Sequence, residues 1–170
     1  MKIELAFLLA LAGITWLAPP TLAQEGGPTV LAKGLFSYQA PPGWTLITSP
    51  YCKFPVSLGA KSDGLNPIIY VAVRPFPGTL SDCTAALLTI LRAEFNRTIV
   101  NQQPFATSAG LEGVRIVMRQ PTHKVNVQSV YYLFDGGGGN KLMIVAGCAA
   151  SDASRDTPLF DASVKTFSLE

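Results

Sequence analysis

Three cysteines and one histidine are the side chains of this chain best suited to metal binding or nucleophilic chemistry. They are Cys52, Cys83, Cys148 and His123, and no two of them lie at the short paired spacing that zinc ligands use. A histidine-dependent hydrolase of the Gly-x-Ser-x-Gly type is also excluded, because that motif is absent. His123 falls in a polar stretch, so we predict a solvated surface residue and neither a metal site nor a histidine-based catalytic site.

Acidic residues and a glycine run are the remaining candidates for chemistry. Asp82 and most other acids occupy predicted turns and helix caps, where local geometry explains them without catalysis. The glycines Gly136–Gly139 could suggest a phosphate loop, but a P-loop continues into Gly-Lys-Ser/Thr and a helix. Here Leu142 begins a predicted strand, so we interpret the run as a hairpin loop and predict no cofactor. Cys83 has no recognisable general base, which favours packing or a disulfide over thiol catalysis.

Two arginines and two tyrosines form a possible recognition surface. Arg115 and Arg119 lie on one side of a predicted strand, and Tyr131 and Tyr132 follow in the next strand with opposite orientations. Arginine and tyrosine are enriched at protein interfaces, so those of the four that face outward are candidate partner contacts. Asn96 separately begins an N-glycosylation pattern, whose use depends on a eukaryotic secretory pathway.

The first 23 residues have the order of a secretory signal peptide. A charged start at Lys2 precedes the apolar run Leu5–Ala18, and small residues end the segment at Ala23. The run is shorter than the ~20 residues that a membrane span needs, and two prolines follow it. No cysteine follows the cleavage position, so lipid attachment is not indicated. We predict a secreted or periplasmic protein with no stable membrane span after cleavage.

Composition and charge limit the fold and the partner. The 170 residues are 48% hydrophobic and 14% charged, which is typical of a globular domain. The net charge is +2, and no basic stripe suited to phosphate neutralisation is present. We therefore predict no nucleic-acid partner, and expect an unknown protein or small-molecule ligand in the cell envelope.

Export to an oxidising compartment permits one disulfide among the three cysteines. The spacing of the cysteines does not indicate which two of them are bonded. Cys148 ends a predicted strand in line with buried residues, whereas Cys52 and Cys83 lie near the ends of elements, where the geometry is less constrained. We favour a bond between Cys52 and Cys83, which would stabilise the fold by about 3 kcal/mol in the loop-entropy model.

Three apolar segments near the C-terminus predict a β-meander at the centre of the fold. They are Gly113–Arg119, Val125–Phe134 and Lys141–Cys148, and the last two are apolar on both sides, as in strands covered on both faces. Residues 24–33 contain glycine and proline breakers and predict a flexible leader. Further strands are predicted at Leu35–Gln39, Trp44–Ile47, Cys52–Leu58, Ile68–Arg74 and Gln102–Ser108.

Two helices complete the prediction. Thr79 and Asp82 form an N-terminal capping pair ahead of leucines at helical spacing, which predicts a helix over residues 80–96. Thr157 as a cap and Pro158 at the first helical position predict a second helix near the C-terminus. The sequence therefore predicts an α+β fold, with an antiparallel sheet of six to eight strands flanked by two main helices.

An aromatic strand, Phe36–Gln39, runs on to Pro-Gly-Trp at Trp44, and the closing helix ends in Thr166 and Phe167. In these features and in the order of its elements, the chain resembles the PsbP-like superfamily over nearly its whole mature length. The resemblance implies one α/β/α sandwich domain over residues 34–170. It also implies a binding or accessory role, because the superfamily includes an extrinsic photosystem II subunit, a nuclear-import accessory factor and bacterial envelope lipoproteins. It supplies no catalytic residue.

The leading functional hypothesis is a secreted or periplasmic, non-enzymatic binding or accessory module of unknown ligand. It depends on the signal peptide and on the missing catalytic motifs. Two alternatives stay open. One is a hydrolase or thiol-dependent enzyme whose site is assembled from scattered residues such as Asp82 and Cys83, and the other is a structural envelope protein.

Overall fold

The computed structural model describes residues 27–95, 97–121 and 125–170. The predicted signal peptide at residues 1–23, the glycosylation residue Asn96 and His123 lie outside the described residues. In the described part of the chain, two α-helices accompany a seven-stranded and a three-stranded antiparallel sheet. The predicted α+β class and strand number are confirmed.

Seven strands form the main sheet. In chain order they are β3 (Thr45–Ile47), β4 (Val56–Leu58), β5 (Ile68–Pro75), β6 (Thr98–Ala106), β7 (Glu112–Gln120), β8 (Val127–Gly137) and β9 (Asn140–Ala149). Their order across the sheet is β3-β4-β5-β9-β8-β7-β6. The three strands β7 to β9 pair consecutively, which confirms the predicted meander. Strands β8 and β9 carry buried residues on both faces, because layers cover the sheet on each side.

The glycine run makes the β8–β9 hairpin, as the sequence predicts. Gly137, Gly138 and Gly139 have φ values of 71°, 57° and 76°, a backbone region that other residues seldom adopt. Asn140 pairs with Gly137 across the turn. The glycines therefore serve to reverse the chain tightly between two central strands.

Strand β6 begins earlier than predicted, at Thr98 instead of Gln102. It is the edge strand beyond β7, and most of its residues are exposed, so it lacks the apolar alternation that marks a half-buried strand. Pro104 lies within it, at a position that an edge strand tolerates because only one side of the strand must pair.

A small second sheet packs beside the main one. It contains β1 (Thr29–Ala32), β2 (Phe36–Gln39) and β10 (Ser168–Leu169), with β2 in the middle. Strand β1 lies in the segment predicted as a flexible leader, and that prediction is wrong for residues 29–32. All four residues of β1 pair with β2, and the alternate side chains Val30 and Ala32 are buried in the core.

Helix α1 (Leu80–Phe95) begins at the predicted capping pair. The backbone N–H of Thr79 donates to Asp82 Oδ2 at 3.0 Å, and the N–H of Asp82 donates to Thr79 Oγ1 at 3.1 Å. These two backbone N–H groups have no carbonyl partner within the helix, and each donates instead to the side-chain oxygen of the other residue. The apolar face of α1 packs on the main sheet, where its buried neighbours are Ile116, Met118, Tyr131, Leu133 and Val145.

Helix α2 (Ala153–Lys165) begins four residues before the predicted cap at Thr157. It follows a 3-10 turn at Ala150–Asp152, and Pro158 lies inside it instead of at its first position. A proline inside a helix removes one backbone hydrogen bond, and for this reason the sequence predicts that the helix begins at Pro158. Arg155 holds the earlier turn instead, through ion pairs to Asp152 at 3.4 Å and to Asp156 at 2.8 Å.

The layers follow the order α1, main sheet, then α2 with the small sheet. The core between the main sheet and α2 is aromatic. The ring centroid of Phe167 lies 5.3 Å from that of Phe36 and 5.8 Å from that of Phe134. The rings of Trp44 and Phe160 pack edge to face, with their centroids 6.0 Å apart. The aromatic residues that carry the family resemblance, Phe36, Tyr38, Trp44 and Phe167, are therefore core residues. No helix in residues 27–170, outside the two short gaps, is long and apolar enough to cross a membrane.

Candidate functional site

The four predicted recognition residues lie on two faces of the main sheet. Arg115, Arg119 and Tyr132 point toward α2, whereas Tyr131 points toward α1. Arg115, Tyr131 and Tyr132 are at most 7% exposed, so they cannot form the exposed surface that the sequence predicts. The prediction fails because helices cover both faces of the meander at these positions. Arg119 alone of the four is exposed.

Arg115 and Tyr132 converge on Asp161 of α2. Arg115 donates from Nε to Asp161 Oδ1 at 2.7 Å and from Nη2 to Oδ2 at 3.1 Å, and the Tyr132 hydroxyl donates to Oδ1 at 2.5 Å. Burial opposes the charge of Arg115, but the hydrogen bond and charge of Asp161 outweigh it and raise the pKa of the guanidinium. Burial, and then the Asp161 charge, raise the pKa of Tyr132. The triad ties the centre of the sheet to α2.

A shallow groove of about 670 Å³ opens beside this triad, and we call it the α2 groove. Its lining comes from β7, β8 and α2, and comprises Arg119, Gln128, Ala153, Ser154, Thr157, Pro158, Asp161, Ala162 and Lys165. Gln128 is buried and donates from Nε2 to Thr157 Oγ1 at 2.9 Å, and Arg119 Nε lies 3.5 Å from Gln128 Oε1. The floor of the groove is thus fixed by side-chain hydrogen bonds between strand and helix.

The α2 groove carries a net positive charge. Arg119 and Lys165 are exposed on it, and neither forms an ion pair with any residue the structure describes. The only acid in its lining, Asp161, is already neutralised by the buried Arg115. An anionic group would therefore find two uncompensated cations and the hydroxyls of Ser154 and Thr157 within one concave surface.

Tyr131 has its own partner on the α1 side of the sheet. The guanidinium of Arg97 donates to the Tyr131 hydroxyl and lies 5.7 Å from its ring centroid, and Arg97 Nε donates to Gln120 Oε1 at 3.0 Å. Burial lowers the pKa of Arg97. This contact, which the sequence reasoning missed, closes the end of α1 against β7 and β8.

The three cysteines differ in their burial and in their charged neighbours. All three are free thiols, so the disulfide predicted between Cys52 and Cys83 is not formed in this structure. Cys83 packs between α1 and the sheet, and burial raises its thiol pKa. Burial and the charge of Asp156 raise the pKa of Cys148 to about 12. The raised pKa values reduce the thiolate fraction of Cys83 and Cys148 near neutral pH.

Asp82 and Asp156 also have structural partners. Hydrogen bonds from Thr79 lower the pKa of Asp82, and Asp156 is buried against Arg155. The sequence places Asp156 among the acids of turns and caps, whereas the early start of α2 puts it in the first turn of that helix, where it is buried. Across the described residues, no three histidine, cysteine, aspartate or glutamate side chains are grouped so as to hold a metal ion.

No protein-family model matches the chain, and a search of curated proteins found no match. Solved structures do match. Cyanobacterial PsbP (CyanoP) from Synechocystis sp. PCC 6803 superposes with a TM-score of 0.62 at 12% identity, covering 90% of this chain and 98% of that one. The Ran-binding protein Mog1p of Saccharomyces cerevisiae gives 0.57 at 15% identity, covering 84% and 96%.

LpqN of Mycobacterium tuberculosis, a protein involved in cell envelope biogenesis, gives a TM-score of 0.56 at 10% identity, covering 79% of this chain and 82% of that one. At such low identity these likenesses concern the fold and not the activity. The chain therefore has the PsbP-like fold that its aromatic strand and closing helix resemble.

Proposed function

We propose that this chain is a secreted or periplasmic, non-enzymatic binding module, and that a protein partner docks in the α2 groove. The observation that carries the proposal is the pair of exposed, unpaired cations Arg119 and Lys165, which flank a floor fixed by hydrogen bonds. A rigid concave surface with uncompensated charge favours recognition of a complementary group, because little ordering is needed on binding.

The charge of the α2 groove selects the kind of partner. Two cations and two hydroxyls suit an acidic side chain presented by a protein surface, since charge-assisted hydrogen bonds are the stronger ones. The groove is shallow and open to solvent, unlike the enclosed apolar cavities that hold small molecules. An acidic segment of a partner protein fits it better than a free metabolite does.

The thiol-enzyme and hydrolase alternative has less support. Asp82 is committed to capping α1, and the burial of Cys83 raises its thiol pKa, so neither is prepared to act as a base or a nucleophile. Asp161, the acid of the α2 groove, already accepts hydrogen bonds from Arg115 and Tyr132. Asp82 and Asp161 thus serve as hydrogen-bond acceptors within the fold.

Location is the part of the proposal that depends on the sequence. It comes from the signal-peptide pattern of residues 1–23. A protein of this fold, LpqN, takes part in cell envelope biogenesis, and another, Mog1p, binds Ran, so the fold is compatible both with an envelope setting and with protein binding. Fractionation of cells that express the full chain should recover it outside the cytoplasm, beginning at Gln24.

The binding test uses immobilised protein and envelope extract of the source organism. The wild-type chain should retain a protein that the double variant Arg119→Glu, Lys165→Glu does not retain. The charge-matched control is Arg92→Glu, Lys61→Glu, which reverses two exposed cations away from the α2 groove and should retain it fully.

Retention of a protein by the wild type alone does not show specific binding, because non-specific adsorption would also retain proteins. Equal retention by both double variants would refute the α2 groove as the site. Failure of the wild type to retain any protein in repeated trials would refute the binding module itself.

A further inference from the structure

A second cavity lies between α1 and the main sheet, near the β8–β9 hairpin, and we call it the α1 pocket. Its volume is about 280 Å³. Its apolar wall is formed by Cys83, Leu87 and Ile90 of α1, by Leu133 and Met143 of the sheet, and by Phe76. Ile90 is 46% exposed, so apolar surface continues from the pocket to its mouth.

Three charged residues lie side by side at one edge of the α1 pocket, and two of them, Arg74 and Lys141, line it. Arg74 of β5 pairs directly with Lys141 of β9, and Lys141 pairs directly with Asp135 of β8. Directly paired residues point to the same face, which here is the face toward α1. Like charges in such positions repel, and the acid, Asp135, is ion-paired with Lys141 at 3.4 Å. The edge therefore has a net positive charge.

Lys141 is a cation held out of water. Its side chain is only 5% exposed, and its Nζ donates to the carbonyl of Phe76 at 3.3 Å. Its counter-ion is Asp135, whose Oδ2 lies 3.4 Å away on a side chain that is 57% exposed, so solvent screens part of this ion pair. Arg74 is exposed and has no ion pair with a described residue. Both cations can accept a further anionic partner.

The charge of Lys141 acts on Cys83, which lines the α1 pocket. Burial raises the pKa of the Cys83 thiol, and the positive charge of Lys141 acts against this rise. Arg74 and Lys141 both line the same cavity as Cys83. An apolar cavity with a small number of convergent charged groups is the usual form of a small-molecule site.

We propose that the α1 pocket binds a small amphipathic carboxylate. Its apolar body lies against Leu87, Ile90 and Met143, and its carboxylate lies between Arg74 and Lys141 and relieves their repulsion. The cavity is below the ~300–1,000 Å³ of drug-sized sites, which suits a single short alkyl or aryl unit and is too small for a two-chain lipid. The α1 pocket lies on the opposite face of the sheet from the α2 groove, so this inference does not depend on the proposed function.

The first experiment titrates the full chain with octanoate in a calorimeter. Two control ligands have the same alkyl chain: octanol has a neutral head group, and octyltrimethylammonium has a cationic one. Octanoate should bind, octanol about tenfold more weakly, and the cation not at all. Lys141→Met and Arg74→Gln should each weaken octanoate binding by about tenfold, while Arg92→Gln, an exposed cation of α1 outside the pocket, should leave it unchanged.

A second readout locates the ligand. In a Cys52→Ser background, octanoate should slow the reaction of Cys83 with N-ethylmaleimide, followed by mass spectrometry. Ala86→Trp places an indole in the pocket from an exposed helix position and should abolish both binding and protection. Ala85→Trp, at an adjacent exposed position that does not line the pocket, should preserve both.

Three results would overturn the proposal: octanol binding as tightly as octanoate, octanoate binding unchanged by Ala86→Trp, or no binding and no protection up to the octanoate solubility limit. Circular dichroism of each variant checks folding. If Lys141→Met does not fold, Arg74→Gln and the two tryptophan variants still decide the matter.

Discussion

Arg115 and Asp161 join the centre of the main sheet to α2 through two hydrogen bonds, Nε to Oδ1 at 2.7 Å and Nη2 to Oδ2 at 3.1 Å. The fork of a guanidinium matches a carboxylate in this geometry. The pair ties α2 to β7 beside the α2 groove, whose lining comes from α2 and from the ends of β7 and β8.

Replacing Asp161 should destabilise the fold. Asp161→Asn leaves Arg115 charged and nearly buried without a counter-ion, a loss of 3–5 kcal/mol in fully buried pairs. The Asp161 side chain is 32% exposed, so water replaces part of the lost interaction, and we expect about 2 kcal/mol. The measurement is the free energy of unfolding in urea.

Glu112→Gln is the matched control for Asp161→Asn. It neutralises an exposed acid of the same strand that Arg115 occupies, and should change stability by less than about 0.5 kcal/mol. The structural role of the ion pair would be contradicted if Asp161→Asn were no more destabilising than this control.

Two buried tyrosines predict a loss of stability at alkaline pH. Burial raises the pKa of Tyr38 to about 12, although the hydrogen bond with Ser57 opposes the rise, and burial together with Asp161 raises the pKa of Tyr132. An unfolded tyrosine ionises near pH 10. Above that pH the unfolded chain releases protons that the folded chain keeps, so their stabilisation is complete below about pH 10 and decreases as the pH rises toward 12.

The test compares urea unfolding at pH 9 and pH 11. The double variant Tyr38→Phe, Tyr132→Phe should lose less stability over this interval than the wild type, by about 1 kcal/mol for each tyrosine. Tyr51→Phe, whose ring is 95% exposed in the wild type, should behave as the wild type does. Identical pH dependence in the double variant and the wild type would show that these tyrosines are not protected by folding.

The strength of the local pattern decides what the sequence can predict. Strands β7, β8 and β9 alternate or are continuously apolar, and the predicted boundaries lie close to those observed. Strands β1 and β6 were missed in whole or in part because β1 has four residues between chain breakers and β6 is largely exposed. Their pairing is set by neighbours distant in the chain.

The candidate site was only half predictable for a related reason. The sequence places Arg115 and Arg119 on one side of a strand, and the structure agrees. It cannot tell that α2 covers the first and leaves the second exposed, because the partner Asp161 lies 46 residues away. The α2 groove exists only after helix and meander have packed together, so no local spacing could reveal it.

Gly113 is required by close packing between β7 and β8. A Cβ atom there would lie 2.3 Å from the Leu133 carbonyl oxygen and 2.4 Å from Phe134 Cδ1. Both neighbours belong to a buried central strand and cannot move cheaply. Gly113→Ala should lower the free energy of unfolding by about 1–3 kcal/mol, measured by urea denaturation.

Gly147→Ala in β9 is the control for this substitution. Its Cβ would meet Ile68 Cγ2 at 3.5 Å, an ordinary contact distance, and we expect a change of less than about 0.5 kcal/mol. If both alanine variants were equally stable, the strands would have room to separate at Gly113 and the packing argument would be wrong.

The three thiols should be distinguishable by labelling. In denatured, unreduced protein all three should react, because Cys52, Cys83 and Cys148 are free. In the native protein Cys148 should stay unlabelled, since it is 2% exposed and its pKa is about 12, whereas Cys52 and Cys83 are partly exposed and should react. Cys148→Ala should reduce the denatured count by one and leave the native count unchanged. A single reactive thiol in the denatured, unreduced chain would contradict this prediction, and if mass spectrometry identified that thiol as Cys148, it would support the disulfide between Cys52 and Cys83.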